Sequence, residues 1–176
     1  MSNDHHARAR QLLAGVSDPE LPMLSVLDLG IVRRIRIDEE RPDSIEVDIT
    51  PTYSGCPALA TIEADIRSAL ATEFATVTVA TVLSPPWTTD WMSDTGKARL
   101  AEHGIAPPRP TRIVDGVTAT MSRALPLLEM RPDTPPLCPR CGAASSELIS
   151  RHGSTACKSL WRCTSCREPF DEFKPH

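Results

Sequence analysis

Two pairs of cysteines near the end of the chain have the spacing of a metal site. Cys138 and Cys141 form one Cys-x-x-Cys pair, and Cys163 and Cys166 form another after 21 intervening residues. Each pair can present two thiolates to one ion, and four sulfur atoms in a tetrahedron suit Zn²⁺. The spacing therefore predicts a closed, structural zinc site in a zinc ribbon. Iron held by the same sulfurs is a weaker alternative. Two redox dithiols are also weaker, because no thioredoxin-like βαβ pattern surrounds either pair.

Cys157 lies between the two pairs and directly before Lys158. Two interpretations stay open for it. It can be a buried, small apolar side chain, or a spare thiolate and extra ligand for transient metal or sulfur exchange. Lys158 favours the second interpretation, because a neighbouring cation lowers the pKa of a thiol.

Cys56 is the other cysteine whose position suits chemistry. Pro57 follows it at the predicted start of a long helix, which would make Cys56 the N-cap residue. A thiol there lies near unpaired backbone N–H groups and the positive helix end, which lowers its pKa. Asp18 and Glu20 would add carboxylates if the fold brings their turn to this loop. The alternative is a buried cysteine without reactivity, with Asp18-Pro19-Glu20 serving only as a helix cap.

Hydrophobic patterning predicts the elements that must position these side chains. Alternating apolar residues indicate three strands, and apolar residues at helical spacing indicate helices before, between and after them. The order α, β, β, α, β, α predicts an α+β fold, a small mixed-sheet sandwich with helices on one face, followed by the C-terminal zinc ribbon. The predicted segments are His5–Ala14, Ile31–Ile37, Ile45–Ile49, Ala58–Phe74, Val77–Leu83 and Ser93–His103.

Composition divides the chain into three parts. Residues 1–106 carry the α+β pattern, residues 107–136 are rich in proline and polar residues and read as a linker, and residues 137–176 form the ribbon. Glycines mark two turns, with Gly104 as the C′ residue of the last helix and Gly142 directly after the first cysteine pair.

Charge and hydropathy exclude several classes of protein. The net charge of −4 argues against nucleic-acid binding. No stretch approaches the roughly 20 apolar residues of a membrane-spanning helix, and the polar N-terminus lacks the apolar core of a secretory signal. We therefore expect a cytoplasmic protein with no membrane partner.

With these motifs placed, the chain resembles two known groups of proteins. The segments 17–20, 27–32, 50–57 and 83–91 resemble the iron–sulfur cluster assembly (SufT-like) domain family. Together with the C-terminal cysteine pattern, they resemble the PaaD family, which are accessory subunits of the multicomponent phenylacetyl-CoA epoxidase of phenylacetate catabolism.

The resemblance implies a role in maturation rather than catalysis by the chain itself. Cys56 would be the functional thiol, with Asp18 and Glu20 as neighbours, and would assist insertion of iron or an iron–sulfur cluster into a partner subunit. The implied cofactors are structural zinc and a transient iron or iron–sulfur cluster. The implied client is the iron–sulfur flavoprotein reductase of the epoxidase, and the chain could also pair with a second copy of itself.

A second class of function stays open beside this one. The chain could be a zinc-ribbon scaffold or regulatory binding module with no role in metal delivery, in which case Cys56 would be structural. A nucleic-acid reader is weaker still, because the ribbon has little basic excess. The residues contain no phosphate loop, nucleophile elbow or di-iron motif of an independent enzyme.

Overall fold

A computed structural model describes residues 2–53, 55–109 and 135–175, and most of the predicted linker lies outside these ranges. Within them no helix is long and apolar enough to cross a membrane. The helices are α1 (Ser2–Ala14), α2 (Leu59–Leu70) and α3 (Asp94–Glu102). The strands are β1 (Val32–Ile37), β2 (Ser44–Ile49), β3 (Thr76–Thr81), β4 (Ile105–Ala106), β5 (Ser146–Ser150), β6 (Lys158–Cys163) and β7 (Pro169–Phe173).

The first sheet has the strand order β1-β2-β3 and is mixed. Strands β1 and β2 form the predicted antiparallel hairpin, whereas β2 and β3 are parallel. A parallel pair needs a crossover connection, and α2 supplies it. Helix α1 contacts both α2 and β1, and α2 contacts β3. The α+β class predicted from the sequence is confirmed.

Helix α3 begins and ends where the sequence predicts. The Oγ of Ser93, the N-cap residue, accepts a hydrogen bond from the backbone N–H of Gly96 at 2.9 Å. Gly104 follows the helix with φ of +76°, a conformation that glycine adopts without a steric penalty. Both ends of this helix are thus fixed by local chemistry.

An irregular segment between α1 and β1 is held by the carboxylate of Asp28. Its Oδ2 accepts hydrogen bonds from the Oγ of Ser25 at 2.7 Å and from Arg99 at 2.6 Å. Its Oδ1 accepts one from the Oγ of Ser93 at 2.9 Å. Burial by itself raises the pKa of Asp28, but these hydrogen bonds and the charge of Arg99 outweigh it, and the net shift lowers the pKa. One side chain therefore ties the loop to the start of α3.

The second sheet has the order β4-β7-β6-β5 and joins the two predicted domains. Strand β4 comes from the first domain of the sequence prediction, yet it pairs in parallel with β7 of the ribbon. Phe173 at the end of β7 is fully buried, and its ring meets that of Trp87 edge-on with 5.9 Å between centroids. Phe173 and Cys157 of the ribbon therefore belong to the core of the first domain, while a smaller second cluster forms around Trp161.

Candidate functional site

The four paired cysteines come together at one end of the second sheet. Their sulfur atoms all lie within 4.8 Å of one another. Cys138 and Cys166 are 3.7 Å apart, and Cys141 and Cys163 are 3.6 Å apart. A tetrahedral zinc ion with Zn–S bonds of about 2.3 Å requires sulfur–sulfur distances of about 3.8 Å. The residues present therefore fit the ion that the spacing predicts.

The two knuckles have the same backbone pattern. In the first, the N–H of Gly142 donates to the carbonyl of Cys138 at 2.8 Å, and in the second, the N–H of Arg167 donates to the carbonyl of Cys163 at 3.0 Å. Both donors have positive φ, +73° for Gly142 and +67° for Arg167. The sequence predicts the positive φ of Gly142, because glycine is free to adopt it. It does not predict the positive φ of Arg167, because arginine gives no sign of a left-handed conformation.

Backbone N–H groups inside the second knuckle point at a sulfur atom. Hydrogen bonds from the N–H groups of Cys166 and Ser165 favour the thiolate of Cys163 and lower its pKa to about 6. A metal ligand must be deprotonated, so this arrangement prepares Cys163 for binding. The knuckle is thus chemically and geometrically suited to a cation.

Cys56 lies in the loop before α2, but the structure corrects its predicted capping role. Helix α2 begins at Leu59 with Ala58 as its N-cap residue, and no side chain caps it. The N–H of Cys56 instead donates to the carbonyl of Tyr53 at 3.2 Å, which closes a turn ahead of the helix. The side chain of Cys56 is half-buried. Pro57 therefore belongs to the turn rather than to the helix itself.

The prediction that the pKa of Cys56 is lowered is wrong. Burial is the largest influence on the thiol and raises its pKa. A hydrogen bond from the N–H of Ala58 acts in the opposite direction, as the helix-end argument expected. The charges of Asp18, Glu20 and Cys157 raise the pKa further, so the net shift is upward.

Asp18 and Glu20, the two carboxylates predicted to lie near Cys56, differ in how deeply they are buried. Asp18 is buried, and its Oδ1 accepts hydrogen bonds from the N–H groups of Glu20 at 2.8 Å and Leu21 at 2.9 Å. Burial raises the pKa of Asp18 more than these bonds and Lys158 lower it. Glu20 is half-buried. The turn of the Asp-Pro-Glu motif therefore lies close enough to Cys56 for both charges to act on its thiol.

Cys157 is the ribbon residue whose charge acts on Cys56. It is only 5% exposed and belongs to the hydrophobic cluster of the first domain, against which Cys56 also packs. Burial is the main reason that its pKa is raised, and this outweighs the hydrogen bond with Thr155 at 3.0 Å and the charge of Lys158. The expected thiolate-favouring effect of Lys158 is therefore present but loses to desolvation.

Tyr53 is a neighbour of this group that was not predicted from the sequence. Burial raises the pKa of its hydroxyl, and the charges of Cys56, Glu20 and Cys157 raise it further. The residue lies in the Thr50–Pro57 segment, so the motif contained it, but its distance from Cys157 depends on tertiary packing. Ser54 of the same segment lies outside the described residues.

The fold and the two groups of cysteines define a class of protein, an iron–sulfur-assembly-type α+β domain joined to a zinc ribbon. Comparison with known families supports both halves. The family described as iron-sulfur cluster assembly protein matches residues 6–83, and the PaaD zinc beta ribbon domain matches residues 127–174.

Individual relatives agree with this division. A protein from Escherichia coli (strain K12), named as one of the subunits of a 1,2-phenylacetyl-CoA epoxidase, is 44% identical over 164 residues, covering 93% of this chain and 88% of the relative. The chain belongs to the PaaD family. The Fe-S protein maturation auxiliary factor SufT of Staphylococcus aureus (strain USA300) is 38% identical over 87 residues, 48% of this chain and 96% of that protein.

A solved structure supports the fold of the first domain. The domain of unknown function DUF59 from Bacillus anthracis superimposes with a TM-score of 0.52 at 30% sequence identity. The superposition covers 56% of this chain and 92% of that structure. The first domain thus has the architecture of this group.

Proposed function

We propose that this chain is a non-catalytic accessory subunit of a multicomponent phenylacetyl-CoA epoxidase, and that it assists insertion of iron or an iron–sulfur cluster into a partner subunit. The observation that carries the proposal is Cys56, a half-buried thiol in an assembly-type domain, close enough to Asp18, Glu20 and Cys157 for their charges to raise its pKa. Relatives named as an epoxidase subunit and as an Fe–S maturation factor support the two parts of the proposal.

The proposal gives the two cysteine groups different tasks. Cys138, Cys141, Cys163 and Cys166 bind a structural zinc ion, because their sulfurs already lie at tetrahedral distances. Cys56 handles iron or sulfur in transit, with Asp18 and Glu20 controlling its charge. A closed site keeps its ion, whereas a half-buried thiol can exchange its own.

The proposed client is the iron–sulfur flavoprotein reductase of the epoxidase, and the proposed location is the cytoplasm. All six cysteines are free of disulfides, which fits a reducing compartment. Pairing with a second copy of the chain stays a prediction.

The experiment compares client maturation with zinc retention. The epoxidase subunits are produced together with the wild-type chain, with Cys56→Ser, or with Ala71→Ser, a matched control that adds a hydroxyl at the exposed far end of α2. We expect Cys56→Ser to keep zinc and to lower the iron and acid-labile sulfide of the reductase, whereas Ala71→Ser leaves both unchanged. A fully loaded reductase beside the Cys56→Ser chain contradicts the proposal.

One observation favours the alternative of a scaffold or regulatory binding module. Leu148 and Ile149 are 40% and 47% exposed on β5, an edge strand of the ribbon sheet. Among the residues that the structure describes, no strand pairs with the outer edge of β5, and apolar side chains on such an edge suit contact with another protein. Under this alternative Cys56→Ser has no effect on the client, whereas Leu148→Ser together with Ile149→Ser abolishes binding to the epoxidase subunits.

A further inference from the structure

The exposed apolar side chains of the ribbon lie along one strand. Among the described residues, four large apolar side chains are exposed, and three of them belong to the ribbon: Leu137, Leu148 and Ile149. Leu148 and Ile149 lie on β5. Leu137 follows Pro136, whose carbonyl accepts a hydrogen bond from the Oγ of Ser146 at 2.9 Å. Since Ser146 is the first residue of β5, all three side chains lie at this strand.

Strand β5 is paired with β6 on one side, and its other side is an edge of the sheet as far as the described residues extend. The register with β6 shifts between Leu148 and Ser150, which interrupts the regular spacing of backbone groups along that edge. A partner at this edge therefore gains little from a backbone ladder. It gains more by removing the apolar side chains of β5 from water.

Two opposite charges flank the apolar pair on this edge. Glu147 directly precedes Leu148, and Arg151 directly follows Ser150, and both charged side chains are exposed. Glu147 pairs with Arg162 of β6 at 3.5 Å, but both of these side chains are at least half exposed, and such pairs contribute little. Glu147 is therefore able to interact with a second cation.

The order of these charges is self-complementary. Glu147 and Arg151 each lie two residues from Ile149. A two-fold axis reverses the direction of the strand, so two copies of β5 that meet around Ile149 place Glu147 of each copy beside Arg151 of the other. The same axis brings the apolar pairs of both copies together at the centre. An unrelated partner needs a matching charge order of its own, whereas a second copy has it by symmetry.

We propose that the outer edge of β5 is a two-fold interface between two copies of this chain, with Leu148 and Ile149 at its centre and reciprocal Glu147–Arg151 ion pairs at its ends. One short strand offers less area than the roughly 1,200–2,000 Å² of a stable interface. We therefore expect a weak dimer, with a dissociation constant on the order of 10–100 μM. The inference is independent of the proposed function, because Cys56 takes no part in it.

The test is sedimentation velocity of the zinc-loaded full chain over a series of concentrations. The average mass of the wild-type chain should rise from that of one chain toward that of two. Glu147→Arg and Arg151→Glu each place like charges beside each other at both ends of the interface, and each should weaken dimerisation about tenfold. Glu40→Arg reverses an exposed charge in the turn between β1 and β2, and this matched control should leave the dimer unchanged.

A mixture of the two charge variants distinguishes this interface from any other. In a dimer of one Glu147→Arg chain and one Arg151→Glu chain, opposite charges meet again at both ends. The equal mixture should therefore dimerise about as tightly as the wild-type chain, although each variant alone does not. Far-UV circular dichroism and zinc content verify that both variants are folded, and recovery in the mixture shows that neither has lost its edge.

Several results overturn the proposal. A wild-type chain that stays single at millimolar concentration contradicts it, as does a mixture of charge variants that does not dimerise. A dimer that persists in Leu148→Ser together with Ile149→Ser uses another surface. Binding of an epoxidase subunit to this edge by a chain that does not dimerise favours the scaffold alternative instead. A reductase that is fully loaded without Cys56 contradicts the delivery function but leaves the dimer unaffected.

Discussion

Phe173 provides a direct measure of how strongly the ribbon and the first domain depend on each other. The residue lies on β7 of the ribbon, is fully buried, and packs edge-on against Trp87 of the first domain. Phe→Ala at such a position costs about 3–5 kcal/mol, from lost transfer energy and the cavity left behind. A domain of this kind has roughly 5–15 kcal/mol in total. Phe173→Ala should therefore remove at least about a fifth of the stability.

The assay follows urea unfolding of the zinc-loaded chain with two probes. Far-UV circular dichroism reports the helices of the first domain, and transfer of zinc to a chromophoric chelator reports the ribbon. Because the two share a core, both transitions should move together to lower urea. Leu148→Ala, at an exposed position, should change the free energy of unfolding by no more than about 0.5 kcal/mol. Zinc release that shifts while the helical transition stays unchanged refutes the shared core.

Three further perturbations test local chemistry. Asp18→Asn removes a negative charge near Cys56 and should lower the raised pKa of that thiol, so alkylation of Cys56 at neutral pH, followed by mass spectrometry, should become faster; an unchanged rate counts against the charge effect. Asp28→Asn should cost about 1.5–3 kcal/mol at neutral pH. Because the folded pKa of Asp28 is lowered, this difference should be full above the unfolded value of about 3.9 and close as pH falls below it; a pH-independent gap in urea unfolding contradicts this. Arg167→Gly removes the strain of a positive φ and should stabilise the zinc-loaded chain by up to about 1 kcal/mol, which is measured as a higher midpoint of thermal unfolding. A lower midpoint contradicts this.

The sequence predicts those parts of the fold that depend on local chemistry. Ser93 caps α3, and Gly104 ends it, because capping and positive φ are decided within a few residues. Spacing alone identifies the four ribbon cysteines, and the structure brings their sulfurs together. The hairpin of β1 and β2 follows from alternation of apolar residues.

Features that depend on distant partners were not predictable in the same way. Strand β4 has only two residues, too few for a periodic pattern, and its pairing with β7 joins distant parts of the chain. The predicted sign of the pKa shift at Cys56 was wrong because the helix end is visible in the sequence, whereas burial and Cys157 are not. Asp28 lies in a family motif, but its partners Ser93 and Arg99 lie far along the chain.

The seating of Phe173 against Trp87 has a practical consequence for anyone dividing this chain into fragments. A fragment that stops before the ribbon would expose the core surface around Trp87 to water. Such an apolar surface promotes self-association. The first domain produced alone is therefore a poor substitute for the full chain. Complementation and binding experiments are best done with the full chain.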